Sequence, residues 1–159
     1  MPIEFKHVHF TYDTLDEQLF QDVQLTLDTK WKLGLIGRNG RGKTTLLKLL
    51  MKELPYTGAI FSDEPFVYFP FEIADRSMLT LYAIEAVMPL EQWRLERECQ
   101  LLGLDKAVLW IPFEQLSGGE QTKVMLAALF CDENRFPLLD EPTNHLDVKA
   151  RAIVARYLQ

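Results

Sequence analysis

Two adjacent carboxylates, Asp140 and Glu141, follow the apolar run Phe136-Pro137-Leu138-Leu139. That run reads as a buried strand, so the acids arrive at the carboxyl end of a strand, where open α/β sheets bind their ligands. One acid so placed can hold a magnesium ion while its neighbour acts on water. Upstream, Gly37-Arg38-Asn39-Gly40-Arg41-Gly42-Lys43-Thr44 fits the pattern G-x-x-x-x-G-K-[ST]. Glycines let such a loop turn tightly and aim its N–H groups at phosphate oxygens. The positive end of a following helix, opened here by Thr45, adds to the anion site. Lys43 is expected to reach the β- and γ-phosphates, and the Thr44 hydroxyl to complete a magnesium shell. A charge-assisted hydrogen bond of this sort contributes about 1.5–3 kcal/mol.

A third motif, Leu116-Ser117-Gly118-Gly119-Glu120-Gln121, precedes the apolar helical pattern Val124 to Phe130. Ser117 and Glu120 have the spacing of a capping box. Capping leaves Gly118 and Gly119 unexplained, since glycine is a poor helix former. Bare N–H groups at a helix start suit a docked phosphate.

The elements that must position these residues form an α/β pattern. Strands are expected at 3–9, 22–27, 31–36, 58–61, 66–69 and 136–139. Helices are expected at 45–51, at 80–88 where Pro89 ends it, at 91–102, 118–131 and 147–158. In the 91–102 helix, Leu95, Cys99 and Leu102 fall on one face at i, i+4 and i+7. His7 and His9 read as solvated or packing residues of the first strand.

With these three motifs in this order, the chain resembles the nucleotide-binding domain of ATP-binding cassette proteins. The wording of residues 140–147, Asp-Glu-Pro-Thr-Asn-His-Leu-Asp, is similar to that of the ABC-F subfamily, whose members carry no membrane domain. The short span from Lys43 to Ser117 suits a reduced helical arm. Trp31 to Gly42 and Trp110-Ile111-Pro112-Phe113-Glu114 resemble the antibiotic-resistance branch, which protects ribosomes.

The resemblance implies a P-loop NTPase fold of the cassette type: a mixed sheet with an N-terminal antiparallel β layer and a short helical lobe at about 77–118. It implies one partial cassette over 1–159, with the family's switch histidine lying further on. ATP and Mg2+ are the implied cofactors, with Thr44 and Asp140 on the metal and Glu141 polarising the attacking water. Gly37, Arg38, Asn39, Gly40, Arg41, Gly42, Lys43, Thr44 and Thr45 form the implied nucleotide cradle. Ser117, Gly118, Gly119 and Glu120 match the signature that touches ATP held by a partner cassette, and Asp147 matches the coupling loop. Tyr12 fits the aromatic on which adenine stacks, and packing within an N-terminal strand explains it equally well. The implied partners are a second cassette of the same full-length protein and the ribosome, the latter contacted mainly by regions outside these residues. One departure stands out: Phe71, in Tyr68-Phe69-Pro70-Phe71-Glu72, occupies the place of a magnesium-sensing glutamine, leaving Glu72 as a substitute.

At 159 residues, 48% of them apolar and 25% charged, the chain suits one ordinary globular domain. No run is long enough to span a bilayer, and the N-terminus lacks the layout of a signal peptide. Cys99 and Cys131 lack metal-ligand spacing and read as buried cytosolic thiols, which with the rest implies a cytoplasmic protein. A net charge of −6 makes a poor general grip for phosphate backbones. Arg38, Arg41 and Lys43 cluster, and nucleotide phosphates account for them. Two other readings remain: the ATPase subunit of a membrane transporter, and a nucleotide-binding module that switches without useful turnover.

Overall fold

The computed structural model describes residues 2–14 and 16–159. The chain divides into two compact units, Met1–Tyr68 and Phe69–Gln159.

The first unit is built on a three-stranded antiparallel sheet in the order β2-β1-β3, formed by β1 (Pro2–Phe10), β2 (Phe20–Asp28) and β3 (Thr57–Phe61). Phe5 of β1 lies opposite Leu25 on one side and Ile60 on the other. Strict alternation from Ile3 and Phe5 would bury His7. Instead both pairings slip after residues 5–6, and Val8 and Phe10 take the buried positions. The extra residue of a bulge re-phases a strand in this way. His7 sits at φ 50, and its Nδ1 atom lies in hydrogen-bond contact at 2.6 Å with the Asp22 carboxylate, which this bond holds below its ordinary range. Opposite the bulge, Gly58 at φ +94 approaches β1 so closely that a Cβ would lie 2.2 Å from the His7 carbonyl oxygen. Only glycine fits there. Helix α1 (Lys43–Leu50) follows the phosphate loop and buries Leu49 and Leu50.

The strand expected at 31–36 is not formed. Among the described residues no strand pairs with this segment; residues 32–38 carry no regular structure and Ile36 is 97% exposed. An apolar run becomes a strand only where a neighbour satisfies its backbone groups, so composition alone misread it. The other expected strands and helices occur within three residues of their anticipated bounds, and those at 66–69, 118–131 and 136–139 match them. The 80–88 helix is the shortest relative to expectation: α2 covers Thr80–Glu85, and a turn carries the chain to Pro89.

Strand β4 (Phe66–Phe69) ends at the boundary of the two units. In the second unit, α3 (Gln92–Leu101) packs against α4 (Gly118–Cys131). Leu95, Cys99 and Leu102 are all fully buried, as the helical spacing requires, together with Val124, Leu126 and Leu129 of α4. Strand β5 (Phe136–Leu139) leads to the acidic loop, and α5 (Val148–Tyr157) follows it. Glu98 is a buried charge in this core, and its carboxylate is satisfied by Arg97 at 2.9 Å and the Tyr157 hydroxyl at 2.5 Å. Burial pushes the thiols of Cys99 and Cys131 up to about 12 and about 11. Among the described residues no helix is long and apolar enough to cross a membrane.

Candidate functional site

In the first unit, Gly40 and Gly42 both take left-handed backbone angles, φ 76 and φ 89. Gly42 is the residue immediately before α1, and a Cβ there would lie 2.9 Å from the Phe20 ring and 3.1 Å from Leu19. These two positions bend the loop so that it feeds directly into the helix start. The Lys43 ammonium folds back over the loop and donates to the carbonyls of Gly37 at 2.6 Å and Arg38 at 3.1 Å. A lysine held across a glycine-rich turn at the positive end of a helix is the arrangement that receives phosphate oxygens. Thr45 is buried, and its hydroxyl pairs with the Tyr12 hydroxyl at 2.7 Å. The Tyr12 ring meets Phe10 edge-on, 4.7 Å between centroids, and stays partly exposed. Tyr12 is thereby tied to the loop helix, a link the sequence did not disclose.

In the second unit, the Asp140 N–H donates to the Phe69 carbonyl at 3.0 Å, which fixes the first acid at the end of β5. Glu141 is exposed and left-handed, with φ 46. Asn144 grips it twice. Its backbone N–H donates to the Glu141 carbonyl at 3.0 Å, and its side-chain amide donates to the Glu141 carboxylate. Leu146 anchors the loop in the core, and the Asp147 carboxylate caps α5 by accepting from the Ala150 N–H at 2.7 Å. Arg151 closes the turn by donating to the Leu146 carbonyl at 2.9 Å. Asp147 therefore has a structural task in addition to any coupling role.

The signature segment forms the capping box that its spacing suggested. The Glu120 N–H donates to the Ser117 hydroxyl at 3.2 Å, and the Ser117 N–H donates to the Glu120 carboxylate at 2.7 Å. The two glycines have no such internal reason. A Cβ at Gly118 would meet nothing within 4 Å, and one at Gly119 only Leu146 at an ordinary 3.6 Å.

A protein-family model described as ABC transporter matches residues 20–144, a span holding the phosphate loop, the signature and the acidic pair. The chain belongs to the ABC transporter family. This cassette is 33% identical over 165 residues to ABC transporter F family member 2 of Arabidopsis thaliana, covering 96% of the chain and 23% of that protein. It is 33% identical over 158 residues to protein GCN20 of Saccharomyces cerevisiae, covering 91% of the chain and 20% of that protein. The chain thus spans about a quarter or less of the relatives it matches. In fold it is similar to an ABC transporter ATP-binding protein of Pyrococcus furiosus, with a TM-score of 0.83 at 21% identity, covering 99% of the chain and 84% of that structure. The fold is that of a P-loop NTPase of the cassette type.

The donor chemistry suits the group that such a cassette implies. Thr44 in the first unit and Asp140 in the second each carry a hard oxygen of the kind that magnesium takes. Phe71, at the place of the family's glutamine, is half-buried, and Glu72 beside it is exposed.

Proposed function

We propose that this cassette binds and hydrolyses ATP as part of an ABC-F protein working in the cytoplasm, where closure of two cassettes on ATP drives a conformational change on the ribosome. The observation that carries the ATP reading is the left-handed Gly40–Gly42 loop entering α1 with Lys43 folded over it. Gly37 through Thr45 cradle the phosphates, and Tyr12 offers its ring to adenine. Thr44 and Asp140 would hold magnesium, which when bound would supply charge neutralisation at the transferred phosphoryl group. Glu141 holds the attacking water and takes its proton. Gly118 and Gly119, unhindered within their own chain, leave bare N–H groups at the start of α4 for a phosphate held by a second cassette, with Ser117 and Glu120 shaping that end. Asp147 lies at the coupling loop between the composite sites.

The ABC-F assignment is supported by the wording of residues 140–147 and by the F-family name of the Arabidopsis relative. The small fraction of each relative that the chain spans supports its being one partial cassette, 1–159, of a longer tandem protein, with a helical lobe at about 77–118. Protection of ribosomes from antibiotics is the work implied by the resemblance of Trp31–Gly42 and Trp110–Glu114 to the resistance branch.

Equilibrium binding of a fluorescent ATP analogue and steady-state phosphate release by the intact protein test this reading. Lys43→Ala is expected to weaken nucleotide binding at least about tenfold. Glu141→Gln is expected to keep binding and to lose turnover about a hundredfold. Equal turnover in all three proteins would overturn it. Residues 1–159 alone are expected to turn over ATP no faster than their own Lys43→Ala control. Accumulation of the Glu141→Gln protein on ribosomes with ATP tests the clamp; equal recovery of both proteins in the ribosome fraction would refute it.

A further inference from the structure

Asn144 holds Glu141 at two points that serve different purposes. The backbone bond, from the Asn144 N–H to the Glu141 carbonyl at 3.0 Å, closes the turn by itself. The side-chain bond adds nothing to that closure. It reaches from the Asn144 amide nitrogen to the Glu141 Oε2 atom, and both residues lie exposed on the loop surface. An amide bound to a solvated carboxylate on an exposed loop contributes little to folding. What it does is choose a rotamer. Glu141 sits in the left-handed region, where a non-glycine residue is disfavoured and its side chain is launched in an unusual direction. With Oε2 taken by Asn144, the Oε1 atom is left to accept from a water.

We propose that Asn144 is a positioning residue for Glu141, holding one carboxylate oxygen so that the other faces the water it must deprotonate. The inference rests on the assignment of Glu141 as the general base. General-base work depends on the base being within hydrogen-bond reach of its proton in the right direction, so losing the hold lowers the chemical step and leaves ligand binding alone. Asn144 contributes no atom to the reaction.

The test is steady-state kinetics of the intact protein with Asn144→Ala and Asn144→Asp, each beside wild type and Glu141→Gln. Asn144→Asp is nearly isosteric and equally suited to the turn, but it replaces the donor with a negative charge. We expect Asn144→Ala to lower kcat about tenfold, with KM for ATP and nucleotide affinity within about twofold of wild type. Asn144→Asp should fall at least as far while unfolding at the wild-type temperature. In the Glu141→Gln background, Asn144→Ala should cost nothing further. A fully active Asn144→Asp protein would show that the residue only shapes the turn and would overturn the proposal. So would an undiminished additional loss in the Glu141→Gln background. If Glu141→Gln itself turned over ATP at the wild-type rate, the assignment of the base would fail and this inference with it; an active base with indifferent Asn144 variants would sink the inference alone.

Discussion

Arg76 and Gln121, forty-five positions apart, are joined by a hydrogen bond from the Arg76 Nη2 atom to the Gln121 Oε1 atom at 2.8 Å. The other end of the same glutamine donates to the carbonyls of Phe113 and Leu116, each at 3.1 Å, and the Arg76 guanidinium lies 4.9 Å above the Phe113 ring. One side chain therefore fastens the first turn of α4 to the segment before it and, through Arg76, to the stretch leading into α2. The Ser117 capping box sets the helix start, and Gln121 sets where that start stands in its unit.

Removing this fastening should be visible in stability first. Gln121→Ala loses three hydrogen bonds and is expected to cost about 2 kcal/mol, read as a lower midpoint in urea. Arg76→Ala loses one of them plus the ring contact and should cost about half as much. Nucleotide affinity at the phosphate loop should stay at wild type in both proteins, because neither residue belongs to that loop. A Gln121→Ala midpoint equal to wild type would contradict the fastening role.

Gly58 and Gly42 make a graded pair. Both are left-handed, and each Cβ would collide, but Gly58 would strike a backbone carbonyl at 2.2 Å whereas Gly42 would press the end of the Phe20 ring at 2.9 Å. A side chain can yield and a strand backbone held by its ladder cannot. Gly42→Ala should cost about 1–2 kcal/mol and weaken nucleotide binding. Gly58→Ala should cost about 3 kcal/mol or more by breaking the β1–β3 pairing. Thermal melts of the two variants, with hydrogen exchange on β3, give the comparison.

The local geometry of the motifs was legible because each has a short-range cause. Helical spacing put Leu95, Cys99 and Leu102 in the core, and the Ser117–Glu120 spacing gave a capping box; both depend only on residues within two turns. The loop glycines announced left-handed angles. What failed or stayed hidden depends on distant neighbours. Trp31 to Ile36 has the composition of a strand and lacks, among the described residues, the strand that would make it one. The bulge at His7 is set by pairing with both β2 and β3, and Gly58 alone hints at it. Asn144 as the partner of Glu141 requires knowing that the loop turns back on itself. Tyr12 meeting Thr45, and Arg76 meeting Gln121, had no signal in spacing at all.

Tyr157 carries a prediction about the end of α5. Its hydroxyl donates to the buried Glu98 carboxylate and its ring meets Phe130 edge-on at 5.3 Å between centroids. Tyr157→Phe keeps the ring contact and takes away a donor, leaving Glu98 to Arg97 alone. The loss should be about 1–3 kcal/mol, measured by urea unfolding at neutral pH. Glu98→Gln in the same background should recover part of it, since a neutral amide is cheaper to leave half-satisfied than a carboxylate. If the double variant is less stable than Tyr157→Phe, the carboxylate is not the strained partner.

Alkaline pH should weaken the second unit through the same buried cluster. Burial, reinforced by the neighbouring Cys131 and Glu98, pushes Cys99 from its ordinary 9.0 up to about 12. Burial likewise pushes Cys131 from 9.0 up to about 11, and Tyr157 rises above its ordinary value through burial and then through Glu98. A group whose pKa is raised in the folded state holds its proton more tightly there than in the unfolded chain. Its stabilising effect is complete below the unfolded value and is lost as pH climbs through the folded value. The window here opens near pH 9 and runs to about 11 for Cys131 and about 12 for Cys99. Within it each thiol can remove up to about 1.4 kcal/mol per pH unit. Melting temperatures should therefore be level from pH 7 to 8.5 and fall steeply by pH 10.5, and Cys99→Ala should flatten that fall. Maleimide labelling of the folded protein at pH 7.5 should be slow at both cysteines and rapid once urea is added; fast native labelling of Cys99 would show that the cluster opens without unfolding.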